Sequence, residues 1–271
     1  MNEAAAIPAV LTIAGSDPSG GAGIQADLKT FVTTGAYGAA VITGLTAQNT
    51  CEVSGTFPVS AQFVDKQIRS VLSDLAVPVI KLGMLTSREI CETVAPHLKE
   101  HTVVCDPVMI STTGFQLIDE DTATALTEII LPMVDYITPN RFELEKLCGN
   151  VSEETLIAGR ELMRRFARLR GIVLKGGHIH TEQPTVTDIL LCRKGGEIKE
   201  IVESRPRYNT PNTHGTGCTF ASAFASFLAQ GHKPPHAFSK TVDYISSLIQ
   251  ISSKTRLGQG RGPLMHHLAG S

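Results

Sequence analysis

Short runs of apolar, mostly β-branched residues recur along the chain and alternate with segments of helical spacing. These runs show little alternation of apolar and polar positions, which is typical of strands buried on both faces of a sheet. They predict strands at 10–14, 39–45, 77–82, 102–105, 134–138, 171–175 and 188–192. Because helical segments lie between the strands, the pattern predicts an α/β fold with a mostly parallel central sheet and helices on both faces.

Apolar residues at every third or fourth position predict the helices between these strands. Ser60 precedes one such segment and Ser152 precedes another, and serine is a preferred N-terminal cap. We expect Pro132 to end the helix that starts at Asp119, because proline disrupts helical hydrogen bonding. Further helices are expected at 24–33 and 220–228.

The segment 188–206 has a different pattern. Two apolar stretches lie on either side of Lys194, Gly195 and Gly196, which predicts a hairpin at a sheet edge. No linker, repeat or low-complexity tract divides the sequence. We therefore interpret residues 1–271 as a single domain with a core of about 10–267.

Composition excludes several classes of protein. Of the 271 residues 42% are hydrophobic and 18% charged, so the chain can bury a large core and is not disordered. The formal net charge is −2, and without a basic excess we expect neither a nucleic-acid partner nor an anionic membrane partner. No apolar run approaches the ~20 residues that span a bilayer, so we expect a soluble, cytoplasmic protein.

The six cysteines show no Cys-x-x-Cys spacing. This distribution predicts reduced thiols rather than a disulfide framework or a zinc site. In an open α/β sheet, ligands bind in the crevice outside the carboxyl ends of the strands. The loops that follow the strands are therefore the places to look for chemistry.

The loop after the first predicted strand, 15–23, is rich in glycine and precedes a helix. Such a loop lets the backbone approach a ligand closely, and it supplies N–H groups at a helix start. Residues 21–26 match the dinucleotide pattern G-x-G-x-x-A, but this pattern alone is weak, and a surface turn would also explain it. Asp27, in the first turn of the helix, could equally be a surface acid that interacts with the helix dipole.

Three further loops carry polar residues directly after predicted strands. Gln48 follows the second strand, and its amide can pair with an aminopyrimidine edge or simply stabilise the loop. Asp106 follows the fourth strand. Asn140 and Glu143 follow the fifth at helical spacing, where they can hold a hydrated Mg²⁺ or form a capping box without any ligand. Lys175 adds a cation after the sixth strand.

The strongest candidate is the segment 212–219, which runs directly into an apolar helix. Gly215 and Gly217 at a helix N-terminus can form an anion hole, with Thr216 between them. We expect Cys218, at the positive end of the helix, to have a lowered thiol pKa. The alternative is a small buried cysteine that packs the helix start.

In combination, these segments resemble the hydroxymethylpyrimidine/phosphomethylpyrimidine kinases of thiamine biosynthesis, which belong to the ribokinase-like superfamily. The similarity begins at Leu11 and continues through Gly83-Met84-Leu85, Asp106-Pro107-Val108-Met109, Thr138-Pro139-Asn140, Lys175-Gly176-Gly177-His178 and 212–218, in the family's order. The resemblance implies a ribokinase-like fold, ATP and Mg²⁺ as cofactors, and phosphorylation of the pyrimidine alcohol and then of its monophosphate. It also implies a homodimer.

The resemblance also implies roles for individual residues. The pyrimidine site would be lined by Gly15, Asp27, Gln48, Met84, Val108 and Cys218. The anion hole would consist of Gly215, Thr216 and Gly217, with Cys218 as the catalytic residue where most ribokinase relatives have aspartate. ATP and Mg²⁺ would bind near Asn140, Glu143, Lys175 and Thr213, with Asp106 and Glu143 holding the metal through water.

The sequence departs from the family in two places. Many relatives have a lysine near position 112, where this chain has Thr112, and its absence affects the expected handling of the monophosphate. Phe142 replaces a proline, but the spacing of Asn140 and Glu143 is retained. The alternatives are a pyridoxal kinase of the same branch, a dinucleotide-dependent oxidoreductase that uses 21–26, and a non-catalytic pyrimidine sensor.

Overall fold

The computed structural model describes residues 7–111, 114–149, 154–178 and 183–269. Within these residues, nine strands form one sheet in the order β3-β2-β1-β4-β5-β6-β7-β8-β9. The strands are β1 (Ala9–Ser16), β2 (Tyr37–Gln48), β3 (Val53–Pro58), β4 (Val79–Leu82), β5 (Thr102–Cys105), β6 (Tyr136–Ile137), β7 (Gly171–Leu174), β8 (Thr185–Lys194) and β9 (Glu197–Pro206). The strands from β2 to β7 in this order are parallel, and β3, β8 and β9 add antiparallel pairings at the two edges.

Helices cover both faces of this sheet. Their bounds are α1 (Gly23–Thr34), α2 (Ala61–Leu72), α3 (Arg88–Val94), α4 (Glu120–Ala125), α5 (Arg141–Cys148), α6 (Thr155–Arg165), α7 (Thr216–Ala229) and α8 (Pro234–Ser252). One apolar cluster joins α1, α7 and α8 to one face, and a second joins α2 to α6 to the other. This arrangement confirms the predicted α/β fold class. No helix of the described residues is both long and apolar enough to span a bilayer.

The strand cores are apolar because each strand packs helices on both sides. Val10 and Leu11 are neighbours in β1, both fully buried, yet they belong to opposite clusters. Val79 and Ile80 divide in the same way in β4. Successive side chains point to opposite faces of a strand. A sheet covered on both faces therefore requires apolar residues at consecutive positions, which is the pattern in the sequence.

Most local predictions are confirmed. The hairpin extends through β8 and β9, which pair from Thr185 to Pro206. Ser60 caps α2 by accepting from the backbone N–H of Phe63. The predicted helix from Asp119 ends in a π turn, Leu126–Ile130, and a 3-10 turn that contains Pro132. The predicted cap Ser152 lies outside the described residues.

The sheet differs from the predicted strands in two places: one predicted strand is shorter, and one observed strand was not predicted. The strand predicted at 134–138 contracts to Tyr136–Ile137, because only two of its residues pair with both neighbouring strands. The strand β3 was not predicted from the sequence. This edge strand is largely exposed and contains serine, glycine and threonine, so it has no apolar run that would reveal it.

The strand order produces a crevice at the carboxyl ends of the parallel strands. β1 has β2 on one side and β4 on the other, so the chain leaves β1 in one direction and later returns on the opposite side. Ligands bind at such switch points in open α/β sheets. A cavity of about 910 Å³ occupies this position.

Candidate active site

The cavity brings together loops that are far apart in sequence. All the residues predicted for the site line it, except Asp27. They are Gly15, Gln48, Met84, Asp106, Val108, Asn140, Glu143, Lys175, Thr213, Gly215, Thr216, Gly217 and Cys218. One cavity is therefore lined by the start of α7 and by the loops that follow β1, β2, β4, β5, β6 and β7.

The loop after β1 packs backbone to backbone against the start of α7. Gly215 has a φ of 78°, in the left-handed region that favours glycine. A Cβ on Gly215 would overlap the carbonyl oxygen of Gly21. Glycine at 215 is thus required by the packing of the two loops.

Gly217 is glycine for a different reason. Gly217 does not need an unusual φ, because it lies in the first turn of α7 and is not among the glycines with positive φ. A Cβ on Gly217 would lie 3.3 Å from Nζ of Lys175 and 3.5 Å from Oδ2 of Asp106. The missing side chain leaves open space between the helix start and these two charges.

The start of α7 is suited to binding an anion. Gly215 is the N-cap and makes no side-chain capping hydrogen bond. The N–H groups of the first turn have no carbonyl partner within the helix, although that of Thr216 donates to the carbonyl oxygen of Thr213 at 3.3 Å, and the helix dipole adds partial positive charge there. The ammonium group of Lys175 lies beside this turn. Backbone donors and a cation therefore converge on one part of the cavity.

A charged cluster faces the helix start. Asp106 is buried and accepts hydrogen bonds from Nζ of Lys175 at 3.0 Å and from Oγ1 of Thr138 at 3.1 Å. Burial tends to lower the pKa of Lys175, but Asp106 and Glu143 raise it above its ordinary value, so the ammonium form is favoured. Burial raises the pKa of Glu143 to about 7; the charge of Lys175 opposes this rise and that of Asp106 adds to it.

Asn140 and Glu143 form a complete capping box at the start of α5. The side chain of Asn140 accepts from the N–H of Glu143 at 2.9 Å, and Oε2 of Glu143 accepts from the N–H of Asn140 at 2.8 Å. The capping box therefore explains the local structure of Asn140 and Glu143 without any ligand. Both residues also line the cavity, so the box presents Glu143 to a ligand.

The donor set fits a hydrated magnesium ion rather than a metal held directly by the protein. Asp106 and Glu143 are two carboxylates on one wall, and Mg²⁺ commonly keeps several waters while binding one or two carboxylates and substrate phosphates. Within the described ranges, no group of three or more potential ligands among His, Cys, Asp and Glu is assembled.

Gln48 lies at the other end of the cavity and is tied to two other loops. Its Nε2 lies 3.2 Å from Nε2 of His214, and Oδ2 of Asp17 lies 2.8 Å from the same ring nitrogen. Although burial alone would raise the pKa of Asp17, hydrogen bonds from His214 and Ser19 lower it, so Asp17 is a carboxylate that can only accept. His214 Nε2 therefore carries a proton that it donates to Asp17, and the amide of Gln48 contacts the same ring nitrogen.

Asp17 and His214 are residues of the cavity wall for which the sequence predicted no role. The contacts of Asp17 and Gln48 with His214 connect residues up to 197 positions apart, and no local pattern reveals them. Gln48 also pairs with Oγ1 of Thr46 at 3.2 Å, so the loop-stabilising interpretation of Gln48 holds alongside its place on the cavity wall.

A further wall of the cavity, formed by the edge hairpin and α8, was not predicted from the sequence. Asp188 accepts from the N–H of Gly176 at 2.8 Å and from Nε of Arg205 at 3.2 Å, and all three groups are buried. Val186 and Ile249 add apolar surface to the same cavity. This wall lies beyond Lys175, on the side opposite Gln48.

Asp27 corrects two of our expectations. It is neither a surface acid nor part of the cavity wall, because its side chain is fully buried against Lys81. Nζ of Lys81 lies 3.0 and 2.9 Å from the two carboxylate oxygens of Asp27. Lys81 itself lines the cavity. Asp27, which the resemblance assigned to the pyrimidine site, lies behind Lys81 and does not line the cavity.

The expectation of a low thiol pKa at Cys218 is wrong. Burial raises the pKa of Cys218 to about 12, which outweighs the lowering effects of Lys81 and of the backbone N–H of Gly23. The helix start alone is too weak a source of positive charge to overcome this desolvation. In the free protein Cys218 is therefore a thiol.

Comparison with known proteins gives matches over most of the chain. The family model for phosphomethylpyrimidine kinase matches residues 17–265. The thiamine biosynthesis bifunctional protein ThiED of Geobacter sulfurreducens is 46% identical over 266 residues, which cover 96% of this chain and 52% of that protein. The chain thus spans about half the length of that relative. The hydroxymethylpyrimidine/phosphomethylpyrimidine kinase of Haemophilus influenzae is 39% identical over 264 residues and is covered to 96%, with 95% of this chain matched.

Solved structures show the same fold. The ADP complex of pyridoxal kinase from Bacillus subtilis is 32% identical, with a TM-score of 0.83 over 96% of this chain and 98% of that one. Phosphomethylpyrimidine kinase from Clostridium difficile is 36% identical, with a TM-score of 0.75 over 89% of this chain and 99% of that one. These structures confirm the ribokinase-like architecture. From the family model and from relatives matched over nearly their full length, we conclude that the chain belongs to the phosphomethylpyrimidine kinase family.

Proposed function

We propose that this chain is an ATP-dependent kinase that phosphorylates 4-amino-5-hydroxymethyl-2-methylpyrimidine and then its monophosphate to the diphosphate. One observation carries the proposal. A single cavity holds Gln48, which can recognise an aminopyrimidine, and an anion-binding helix start with Lys175, which can hold a transferring phosphoryl group. Family membership and the named relatives support the same activity.

In this proposal the two ends of the cavity bind the two substrates. The pyrimidine lies between Gly15, Met84 and Val108, with its amino group and neighbouring ring nitrogen on the Gln48 amide. The nucleotide lies on the wall of the edge hairpin, beyond Lys175. Its terminal phosphate then points at Gly217, between the two ends, where the open space was found.

The residues at the centre act mainly by electrostatics and alignment. Phosphoryl transfer passes through a loose transition state in which negative charge is spread over the equatorial oxygens. Lys175 and the N–H groups of Gly215, Gly217 and Cys218, all of which line the cavity, would neutralise that charge. Mg²⁺, held through water by Asp106 and Glu143, supplies further positive charge to the phosphates when it is bound.

The two steps differ in their need for a base. In the first step, once Cys218 has lost its own proton to solvent, the alcohol oxygen bonds to phosphorus, the bond from phosphorus to ADP breaks, and the alcohol proton passes to the thiolate of Cys218. Burial disfavours this thiolate, so positive charge near the sulfur matters. In the second step the attacking oxygen belongs to a phosphate that is already anionic, and no proton has to be removed.

Pyridoxal is the second candidate substrate, and the structural neighbours that are pyridoxal kinases favour it. Gln48 argues against pyridoxal as the main substrate, because pyridoxal has no exocyclic amine for the amide oxygen to accept from. We also propose, on the family resemblance, that the enzyme works as a cytoplasmic homodimer on small molecules. The net charge of −2 offers no support for a nucleic-acid partner.

The test is a coupled ADP-release assay with Mg-ATP and one acceptor at a time: the pyrimidine alcohol, its monophosphate, pyridoxal or none. The proposal expects turnover with both pyrimidines and a lower kcat/KM for pyridoxal. A higher kcat/KM for pyridoxal would instead establish the second candidate. Binding of the pyrimidine without ADP release would indicate a sensor and overturn the kinase assignment.

A further inference from the structure

A buried ion pair lies beneath the cavity and has no role in the binding scheme above. Lys81 and Asp27 both have fully buried side chains, and Nζ of Lys81 bonds both carboxylate oxygens. The hydroxyl groups of Thr12 and Ser222 donate to the same carboxylate at 2.6 and 2.7 Å. Four polar groups from β1, α1, β4 and α7 thus form one hydrogen-bonded unit.

The unit lies directly below Cys218. Ser222 follows Cys218 by four residues in α7, and residues four apart share a helix face. The side chain of Cys218 therefore lies one turn closer to the cavity than the hydroxyl that holds Asp27. Lys81 reaches the cavity wall, since a Cβ on the wall residue Gly83 would lie 2.9 Å from Nζ of Lys81. The ammonium group is the end of the pair that faces the site.

A buried ion pair is an expensive way to stabilise a core. Desolvation of two charges often costs more than their attraction returns, and apolar residues of similar volume can be equally stable. Stability alone therefore does not account for Lys81 and Asp27. A positive charge near Cys218, the base that accepts the proton of the alcohol, would account for them, because it stabilises the thiolate whenever the thiolate forms.

We propose that Lys81, oriented by Asp27, is a positioning residue that stabilises the thiolate of Cys218 and so supports phosphorylation of the alcohol. This proposal rests on the proposed function, but its first test does not. The proton leaves the alcohol for the sulfur as the oxygen–phosphorus bond forms, and the resulting thiol later returns its proton to solvent. Lys81 contacts neither substrate in this scheme.

The electrostatics around the sulfur agree with this role. Four charged groups interact with Cys218, two of each sign: Lys81, Lys175, Asp27 and Asp106. Burial raises the pKa of the thiol, and Lys81 contributes the largest opposing effect, ahead of the carboxylates that add to the rise. Although burial disfavours the charge of Lys81, the nearby Asp27 and the thiolate raise its pKa above the ordinary lysine value, so it stays protonated.

The test measures the thiol directly. The paired variant Lys81→Gln with Asp27→Asn removes both charges and keeps hydrogen-bonding groups of similar size. The rate at which iodoacetamide alkylates Cys218 is followed at mildly alkaline pH by mass spectrometry of the peptide that contains it. We expect this rate to fall roughly three- to tenfold, because the effect of Lys81 on the sulfur is larger than the opposite effect of Asp27. Less thiolate is then present, and its intrinsic reactivity rises only partly in compensation.

Two comparisons make the measurement specific. Lys81→Arg keeps the charge and should leave the alkylation rate within about twofold. The matched control is Asp135→Asn with Arg168→Gln, which neutralises an ion pair at the amino ends of β6 and β7, away from the cavity. This control should leave the alkylation rate unchanged. If the amide pair does not fold, Lys81→Met is used instead, in which the buried Asp27 takes up a proton.

Kinase assays on the same variants complete the test. The neutral pair should slow phosphorylation of the alcohol about as much as it slows alkylation, with little effect on phosphorylation of the monophosphate. An unchanged alkylation rate would overturn the proposal, and so would slower alkylation with equal losses in both kinase steps. A wild-type protein that lacks kinase activity but shows the alkylation pattern would refute the proposed function and leave the effect of Lys81 on the thiol established.

Discussion

Gly217 offers the sharpest test of how the site works, because the substitution is small and its position is known. In Gly217→Ala the added methyl lies 3.3 Å from Nζ of Lys175 and 3.5 Å from Asp106, in ordinary or slightly tight contact with flexible side-chain ends. The residue is helical, so alanine suits its backbone. We expect a folded protein that melts no lower than the wild type, since Gly→Ala at a compatible position stabilises by ~0.4–1 kcal/mol.

The same methyl occupies the space that a phosphoryl oxygen needs between the helix start and Lys175. An oxygen that bonds Lys175 and a backbone N–H at about 2.9 Å from each cannot share that space with a carbon atom. Loss of one well-placed donor to a developing oxyanion costs about 3–4 kcal/mol. This corresponds to a fall in kcat of roughly 10²- to 10³-fold. Pyrimidine binding, which depends on Gln48 at the other end of the cavity, should change by only a few-fold.

The assay combines three measurements on one preparation: ADP release with saturating Mg-ATP, calorimetric binding of the pyrimidine alcohol, and thermal unfolding. Gly215→Ala is the matched comparison. Its φ of 78° and the overlap with Gly21 predict lost stability, with at least ~1–2 kcal/mol from the backbone conformation alone. Near-normal turnover in a folded Gly217→Ala variant would refute the anion-hole assignment and place the phosphate elsewhere.

Three further predictions address substrate choice, the base and stability. Gln48→Met should reduce affinity for the aminopyrimidine by roughly ten- to several-hundred-fold while pyridoxal use falls less, because two polar ligand groups lose their partner; an unchanged ratio of kcat/KM for the two substrates would contradict this. Cys218→Ala should slow phosphorylation of the alcohol ~10²- to 10⁴-fold and that of the monophosphate much less; equal losses in single-step assays would show that Cys218 only packs or positions. Burial lowers the pKa of His266 to about 4, and its ring bonds Thr219 and Leu264. As the pH falls below 6.5, the His266 ring is protonated in the unfolded chain before it is protonated in the folded protein. The free energy of unfolding should therefore decrease progressively down to about pH 4, by up to about 3 kcal/mol. Denaturant unfolding across this range should be flatter for His266→Gln, and identical pH slopes in the two proteins would be inconsistent with a buried neutral ring.

The amino-acid sequence predicted the α/β fold class and the position of the candidate site. Apolar runs without polar alternation identified the strands covered on both faces, and helical spacing identified most of the helices. The glycine-rich loops after these strands identified the cavity, because parallel strands bring their carboxyl ends to one edge. These features are local, so a short window of sequence contains the physical cause of each. The exposed edge strand β3 was missed because it has no buried face to leave a pattern.

Tertiary structure alone decided the electrostatics of the site. Asp27 and Lys81 are 54 positions apart and His214 and Asp17 are 197 apart, so neither pairing leaves a local signal. The thiol of Cys218 shows the consequence most clearly. Its place at a helix start predicted a low pKa, whereas its burial raises the pKa to about 12. A helix terminus acts over one turn and can be read from the sequence, but desolvation depends on every chain segment that excludes water from the sulfur. Which groups in the cavity are charged therefore depends on the assembled fold.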